Sequence, residues 1–201
     1  MASILEELFF IRRILAISEA GLAYASDRFD IERYQDLRQL AMQRLSELGN
    51  VQVTTVAELF KDEAGYPTPK VDVRAFIRQK NQVLLVENSH GEWALPGGFA
   101  EIGWTLQENV IKEVHEETGL TVNMATLRAV YDTSLRKDVP QTFQYYKFIF
   151  ACTVESGEFV KNSETVAMQW FDKDQLPPLS MKRTTPEQIA QLFDSVDLHV
   201  D

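Results

Sequence analysis

Gly97-Gly98-Phe99-Ala100-Glu101-Ile102-Gly103-Trp104-Thr105-Leu106-Gln107-Glu108-Asn109-Val110-Ile111-Lys112-Glu113-Val114-His115-Glu116-Glu117-Thr118-Gly119-Leu120 reads as a glycine loop, a helix and a glycine stop. Thr105 suits the helix N-cap, and Glu108 three residues on completes a capping box. At about 100° per residue, Leu106, Val110 and Val114 fall within a sector of about 80°. Glu113 and Glu117 lie roughly 20° either side of Leu106, and Glu116 about 60° beyond Glu113. Three carboxylates therefore leave one side of the helix, at the edge of its apolar stripe. Like charges at i,i+4 cost a few tenths of a kcal/mol when exposed, roughly, and more beside a low-dielectric core. A hard divalent cation with oxygen ligands reverses that sign. The bland alternative is a solvated charged face, the ordinary state of glutamate. Spacing alone leaves both readings open.

Outward from this stretch, the N-terminal side is helical. Ile4, Leu8, Ile11, Leu15 and Ser18 recur at four-three-four-three spacing. Asp30 is the expected cap of a second helix with apolar Tyr34, Leu37, Ala41, Leu45 and Leu48, stopping at Gly49. Thr54 or Thr55 is expected to cap a short third helix. Gly65-Tyr66-Pro67-Thr68-Pro69 then breaks the pattern, which places a boundary near residue 67. Two domains are expected, 1–66 and 67–201. Beyond the boundary, Val71, Val73, Ala75 and Ile77 alternate with Asp72, Arg74, Phe76 and Arg78, and Val83–Val86 reads as a buried strand. Further strands are expected at Thr126–Tyr131, Phe143–Val154 and Thr165–Phe171. Thr185-Pro186-Glu187-Gln188 opens a final helix. Strands and helices in this order predict an α/β (α+β) fold with helices on the faces of a mixed sheet.

Composition narrows the function classes. The chain has 201 residues, 45% hydrophobic and 25% charged, with a net charge of −10. That is a globular composition with enough length to bury a core. The negative charge disfavours long nucleic acid and anionic membrane, and the longest basic runs are pairs such as Arg12-Arg13, Arg136-Lys137 and Lys182-Arg183. No apolar run approaches the roughly 20 residues of a membrane helix. One cysteine, Cys152, excludes an internal disulfide framework and cysteine-cluster zinc. Glu6 and Glu7 stand where a signal peptide needs positive charge, so a reducing, cytoplasmic setting is expected.

From Gly98 onward the spacing closely resembles the Nudix box, G-x5-E-x7-R-E-U-x-E-E-x-G-U with U a bulky aliphatic residue. Gly98, Glu113, Val114, Glu116, Glu117, Gly119 and Leu120 match, which is seven of nine fixed positions. Trp104 replaces the first Glu, and Lys112 replaces the Arg. Leu95-Pro96-Gly97-Gly98 matches the family's approach to the box. Gly21-Leu22-Ala23-Tyr24, Asp30, Arg33-Tyr34 and the 65–74 segment resemble the subfamily with an N-terminal helical domain. The resemblance implies a Nudix α/β/α sandwich preceded by that small helical domain, which would serve dimerisation or substrate shaping.

It also implies hydrolysis of a nucleoside diphosphate linked to a group X. By position, Glu113, Glu116 and Glu117 would be ligands to magnesium or manganese. Lys112 would hold a carboxylate in place without arginine's planar fork. A carboxylate, Glu117 or Glu164, would take the proton of the attacking water. Arg74, Gly98, Glu101 and Tyr66 are candidates for substrate contact. For Arg74 the alternative is a surface ion pair, for Glu101 an exposed loop acid, and for Tyr66, Phe143, Tyr145 and Tyr146 ordinary packing. Trp104 is a candidate cover for the ligand mouth or a dimer partner.

CDP-choline, cleaved to CMP and phosphocholine, is the first expectation. ADP-ribose hydrolysis and RNA processing or nucleotide sanitising are alternatives within the family. A Nudix-fold sensor that binds a nucleotide without cutting it is the alternative outside catalysis. The intact carboxylates favour the enzyme. So does the absence of a basic recognition helix, with 8 basic against 11 acidic residues up to Lys70. The N-terminal helices carry more apolar surface than an isolated appendage needs, which predicts a homodimer.

Overall fold

The computed structural model describes residues 4–61, 65–136 and 138–201. Residues 1–3 of the expected helical start, and Lys137 of the Arg136-Lys137 pair, lie outside them. The chain divides into a helical unit, Met1–Pro69 with Ser134–Gln144, and a sheet unit, Lys70–Thr133 with Tyr145–Asp201.

The helical unit begins with α1 (Ile4–Tyr24) and α2 (Arg28–Gly49), which fold back on each other, followed by α3 (Val53–Leu59). Their core is Ile11, Leu15, Ala41, Met42, Leu45, Val56 and Phe60. Gly21 lies under Tyr34: a Cβ there would meet the ring at 2.5 Å, so glycine admits the tyrosine. Two expected caps are corrected. Asp27, not Asp30, caps α2 by accepting from the Phe29 and Asp30 amides at 2.9 and 3.1 Å. Asp30 sits instead in the positive first turn and pairs with Arg33 at 2.6 Å. Gln52 precedes α3, without a side-chain capping bond, and Thr54 and Thr55 fall inside the helix. Asn50, left-handed at φ 48°, ends α2 one residue after Gly49. Phe143, expected at the start of a strand, packs on Phe60 at 5.0 Å between ring centroids.

The sheet unit runs β1 (Lys70–Phe76), β2 (Arg78–Gln79), β3 (Gln82–Glu87), β4 (Trp93–Ala94), α4 (Leu106–Thr118), β5 (Thr121–Asp132), β6 (Tyr145–Ser156), β7 (Ala167–Asp172), α5 (Pro186–Asp194) and β8 (His199–Val200). One sheet has the order β1-β6-β5-β8; β1/β6 and β5/β8 are parallel, and β6/β5 antiparallel. The other sets β2, β4 and β7 antiparallel around β3. Side chains alternate across each strand. Val73, Ala75, Phe150 and Cys152 pack with Val110 and Val114 of α4. Phe76, Ile149 and Leu85 pack with Ile189 and Leu192 of α5. A mixed α+β sandwich results, as the residue pattern predicts.

β1 carries the expected alternation, yet neither of its faces is open to solvent over residues 72–76. These residues are all buried, because both faces are covered, Val73 and Ala75 by α4 and Phe76 by α5, and both edges of the strand are bonded as well. β6 takes one edge. On the other, Val73 N–H donates to Gly98 O at 2.9 Å, Ala75 N–H to Pro96 O at 2.8 Å, and Ala100 N–H to Val71 O at 3.0 Å. The glycine loop is thus stitched into the sheet.

Candidate active site

α4 forms as expected: Thr105 accepts from the Glu108 amide, and the Glu108 carboxylate accepts from the Thr105 amide at 2.8 Å. Gly119 ends it at φ 75°. The helix stands over the glycine loop, and two glycines make close approaches possible, Gly97 to β1 and Gly98 to the helix. Gly97 has φ +139°, and a Cβ there would lie 2.0 Å from Val73 O. A Cβ on Gly98 would lie 2.6 Å from Glu113 Oε2. Gly98 is therefore the floor on which the Glu113 carboxylate rests.

The three glutamates do not behave alike. Glu117 is buried, and its Oε2 accepts the Gly97 N–H at 2.7 Å. Burial raises its pKa, opposed by Arg74, the Gly97 amide and Arg183, while Glu164 adds to the rise. Glu113 is half-buried; desolvation first, then the neighbouring Glu117 charge, push it up to about 7. Glu116 is turned outward, its side chain 54% exposed, and accepts from Lys112 Nζ at 2.7 Å. Lys112 also reaches Glu101 Oε1 at 3.2 Å. Its pKa is raised, chiefly by the Glu116 hydrogen bond. Among the described residues no three His, Cys, Asp or Glu side chains already converge as a metal cage. The donor chemistry nevertheless fits a hard divalent cation. Two desolvated carboxylates repel each other over a loop that admits no Cβ, and a third stands one residue away, held by Lys112.

Beneath the pair lies a buried charged chain. Arg74 is 5% exposed and pairs with Asp72 at 2.9 Å, with a further bond to Leu95 O at 3.3 Å. Burial works against its charge, but Asp72, then Glu117 and Glu113, outweigh that and raise its pKa. Lys147 lies across from Asp72 in the β1/β6 register, Nζ to Oδ2 3.9 Å, and is 2% exposed. The surface ion pair considered for Arg74 is therefore corrected: the pair is internal. Residue type and spacing in β1 contain the signal only in part, since Lys147 is more than 70 residues away.

The late loop is fastened to α4. Asn162 Nδ2 donates to Glu116 O at 2.9 Å and Glu117 O at 3.2 Å, while its Oδ1 accepts the Glu164 and Thr165 amides. Glu164 is exposed and close enough to Glu117 to act on its charge. Glu101 bonds Asn109 through its amide at 2.8 Å, which shapes the loop before α4. Phe99 stacks on Tyr145 at 5.6 Å and 12°, and Trp104 is 51% exposed. Tyr66 belongs to the helical unit, exposed, 6.5 Å from the Tyr24 ring. His115 is exposed and Cys152 buried, its thiol pushed up to about 12 by burial. Sequence reasoning missed Asp72, Lys147, Asn162 as a clamp, and Arg183.

Comparison with known proteins agrees with this geometry. The NUDIX domain pattern matches residues 68–193. The pattern described as "UDP-X-like, N-terminal oligomerisation domain" matches residues 8–60. A Bacillus subtilis (strain 168) relative named "Putative ADP-ribose pyrophosphatase YjhB" is 43% identical over 184 residues, 91% of this chain and 88% of the relative. A crystal structure of a UDP-X diphosphatase is 38% identical with TM-score 0.64, covering 100% of both chains. That of an ADP-ribose pyrophosphatase from Streptococcus suis 89-1591 is 38% identical with TM-score 0.61, covering 67% of this chain and 100% of that one. The chain belongs to the Nudix hydrolase family, with a UDP-X-like N-terminal domain ahead of its NUDIX domain.

Proposed function

We propose that this protein cleaves the diphosphate of a nucleoside diphosphate linked to X, releasing a nucleoside monophosphate and a phosphorylated X. The observation that carries the reading is the Glu113–Glu117 pair, set against Gly97 and Gly98 and backed by buried Arg74. Magnesium or manganese would be held by Glu113 and Glu117, with Glu116 swinging from Lys112. Once bound it supplies neutralisation of the diphosphate and acidification of a water. Glu117 is fixed by the Gly97 amide, so its geometry is set before substrate arrives. Arg74, fully enclosed, positions the carboxylates rather than touching substrate. Glu164 is exposed, has no hydrogen bond to its carboxylate among the described residues, and is tethered through Asn162. It is the group we assign to take the proton from the attacking water. Phe99 on Tyr145, with Trp104 nearby in sequence, offers flat apolar surface for a base.

Among X groups, ADP-ribose now stands ahead of CDP-choline, because two of the relatives above carry ADP-ribose pyrophosphatase names. UDP-linked compounds form the second reading, favoured by the full-length likeness to the UDP-X diphosphatase, and CDP-choline is kept beside them on the subfamily resemblance alone. Incubation with magnesium and each compound, with chromatography of the released nucleotide, tests it. AMP from ADP-ribose supports the first reading. Absence of any nucleoside monophosphate from the three compounds refutes both.

The helical unit is proposed to form a homodimer. Ile4, Phe9, Phe10, Ile17 and Leu40 are 45–64% exposed, and its pattern is described as an oligomerisation domain. The domain limits 1–66 and 67–201 are proposed with that division of labour. Among the described residues no helix is long and apolar enough to cross a membrane. We propose a cytoplasmic setting.

A further inference from the structure

We propose that Arg183 is a phosphate-binding residue of the carboxylate site, presented there by a loop that the buried Lys147 holds from beneath. The inference rests on the hydrolase reading for the nature of its ligand, a diphosphate.

The loop before α5 is fastened throughout. Ser180 N–H donates to Trp93 O at 2.8 Å, and the Arg183 and Thr184 amides donate to Ser180 O at 2.7 and 2.8 Å. Leu95 N–H donates to Thr184 Oγ1 at 3.0 Å. Lys147 Nζ donates to Lys182 O at 3.2 Å and to Arg183 O. A lysine ammonium is costly to bury unless it is hydrogen-bonded. Here the carbonyls that satisfy it are those of Lys182 and Arg183, so the loop and the buried charge fix one another.

The same anchors place Arg183 relative to the carboxylates. Thr184 is bonded to Leu95, and two residues after Leu95 the Gly97 amide donates to Glu117 Oε2. Two hydrogen bonds from backbone donors thus connect the Arg183 loop to the Glu117 carboxylate. The Arg183 side chain is exposed and forms no hydrogen bond or ion pair among the described residues. Two carboxylates feel its charge without binding it. One is Glu117. The other is Glu92, whose pKa is lowered first by Ser180, then by Asn88, with a smaller effect of Arg183. A guanidinium fork matches two phosphate oxygens. On a chain of net charge −10, an unengaged arginine whose charge reaches Glu117 supplies part of the local positive field that a diphosphate needs.

The test is calorimetric titration of the purified protein, in magnesium chloride, with α,β-methylene-ADP, whose bridging carbon resists hydrolysis. Arg183→Gln is expected to weaken binding about tenfold or more. Arg183→Lys, which keeps the charge and loses the fork, is expected to weaken it about threefold. Both should keep the wild-type melting temperature and circular dichroism, since the side chain bonds no neighbour. Equal affinity of wild type and Arg183→Gln overturns the proposal, as does a wild type that does not bind the analogue. Turnover of ADP-ribose and CDP-choline by wild type is measured alongside. A wild type that binds in an Arg183-dependent way but cleaves neither keeps this assignment and removes the hydrolase reading. Cleavage with unchanged affinity in Arg183→Gln does the reverse.

Discussion

Uncovered apolar side chains on the helical unit contrast with a connected set of buried charges in the sheet unit. The helical unit leaves large apolar side chains in water: Phe9 at 56%, Phe10 at 63% and Leu40 at 64% exposure. The sheet unit encloses charges instead: Asp72, Arg74, Lys147 and Glu117 are each under 8% exposed. Exposed apolar area is relieved by a protein surface, whereas crowded buried carboxylates are relieved by a cation. Each irregularity therefore names the kind of partner that would remove it. The helices lack a hydrophobic partner, and the carboxylate pair lacks a cation between its oxygens.

Substitutions at five positions sharpen or break that contrast. Glu117→Gln should lower magnesium-dependent release of nucleoside monophosphate by about a thousandfold, on the scale of a lost acid–base or charge-stabilising group. Turnover within tenfold of wild type would remove Glu117 from the chemistry. Arg74→Met strands Asp72 with Lys147 at 3.9 Å, and urea unfolding should show a loss of about 3–5 kcal/mol. A loss under about 1 kcal/mol would mean the buried charges are independent of each other. Phe10→Glu places charge on the uncovered helical face; light scattering should fall from two chain masses toward one. A wild type at one chain mass ends the dimer reading.

Lys112→Met frees Glu116 from its ion pair. A drop in kcat of about tenfold is expected, with Lys112→Arg at or above wild type because the fork suits a carboxylate better. The smallest effect concerns Glu113. Its folded-state pKa of about 7 lies above the ordinary 4.5, so the folded state holds the proton more tightly than the unfolded one. Its contribution is present below pH 4.5 and lost as pH rises through 7. Glu113→Gln should therefore raise the melting temperature of the metal-free protein at pH 8. Because water reaches half the group, the gain is discounted to about 1 kcal/mol, roughly 2–4 °C. The variant should also lose part of the stabilisation that wild type gains from magnesium.

Local signals were legible in the sequence, and paired ones were not. Thr105 with Glu108, and Thr185 with Pro186 and Gln188, write their helix starts within four residues, and both capping boxes form. The choice of Asp27 over Asp30 escapes the same logic, because either acid satisfies a cap and only the end of α1 decides. In β1 the period-two spacing of Asp72 and Arg74 is real, yet the polar face it implies is internal. Its compensation comes from Lys147 on a strand far along the chain. In the site, the order of the glutamates around α4 could be read from helix geometry. That Glu113 rests on Gly98 while Glu116 bends toward Lys112 depends on the loop lying below. Arg183 was hidden in an unremarkable Lys-Arg dipeptide, since its meaning comes from Thr184, Leu95 and Lys147.

The bonding of Pro96–Ala100 along the free edge of β1 has a thermal consequence. Because Val73 and Ala75 donate their amides into that segment, it serves as an extra strand and cannot come loose while the sheet survives. Heating should accordingly produce no inactive but folded species: loss of turnover and loss of β-structure should follow one curve, and slow amide exchange should extend from β1 to the rim of the site.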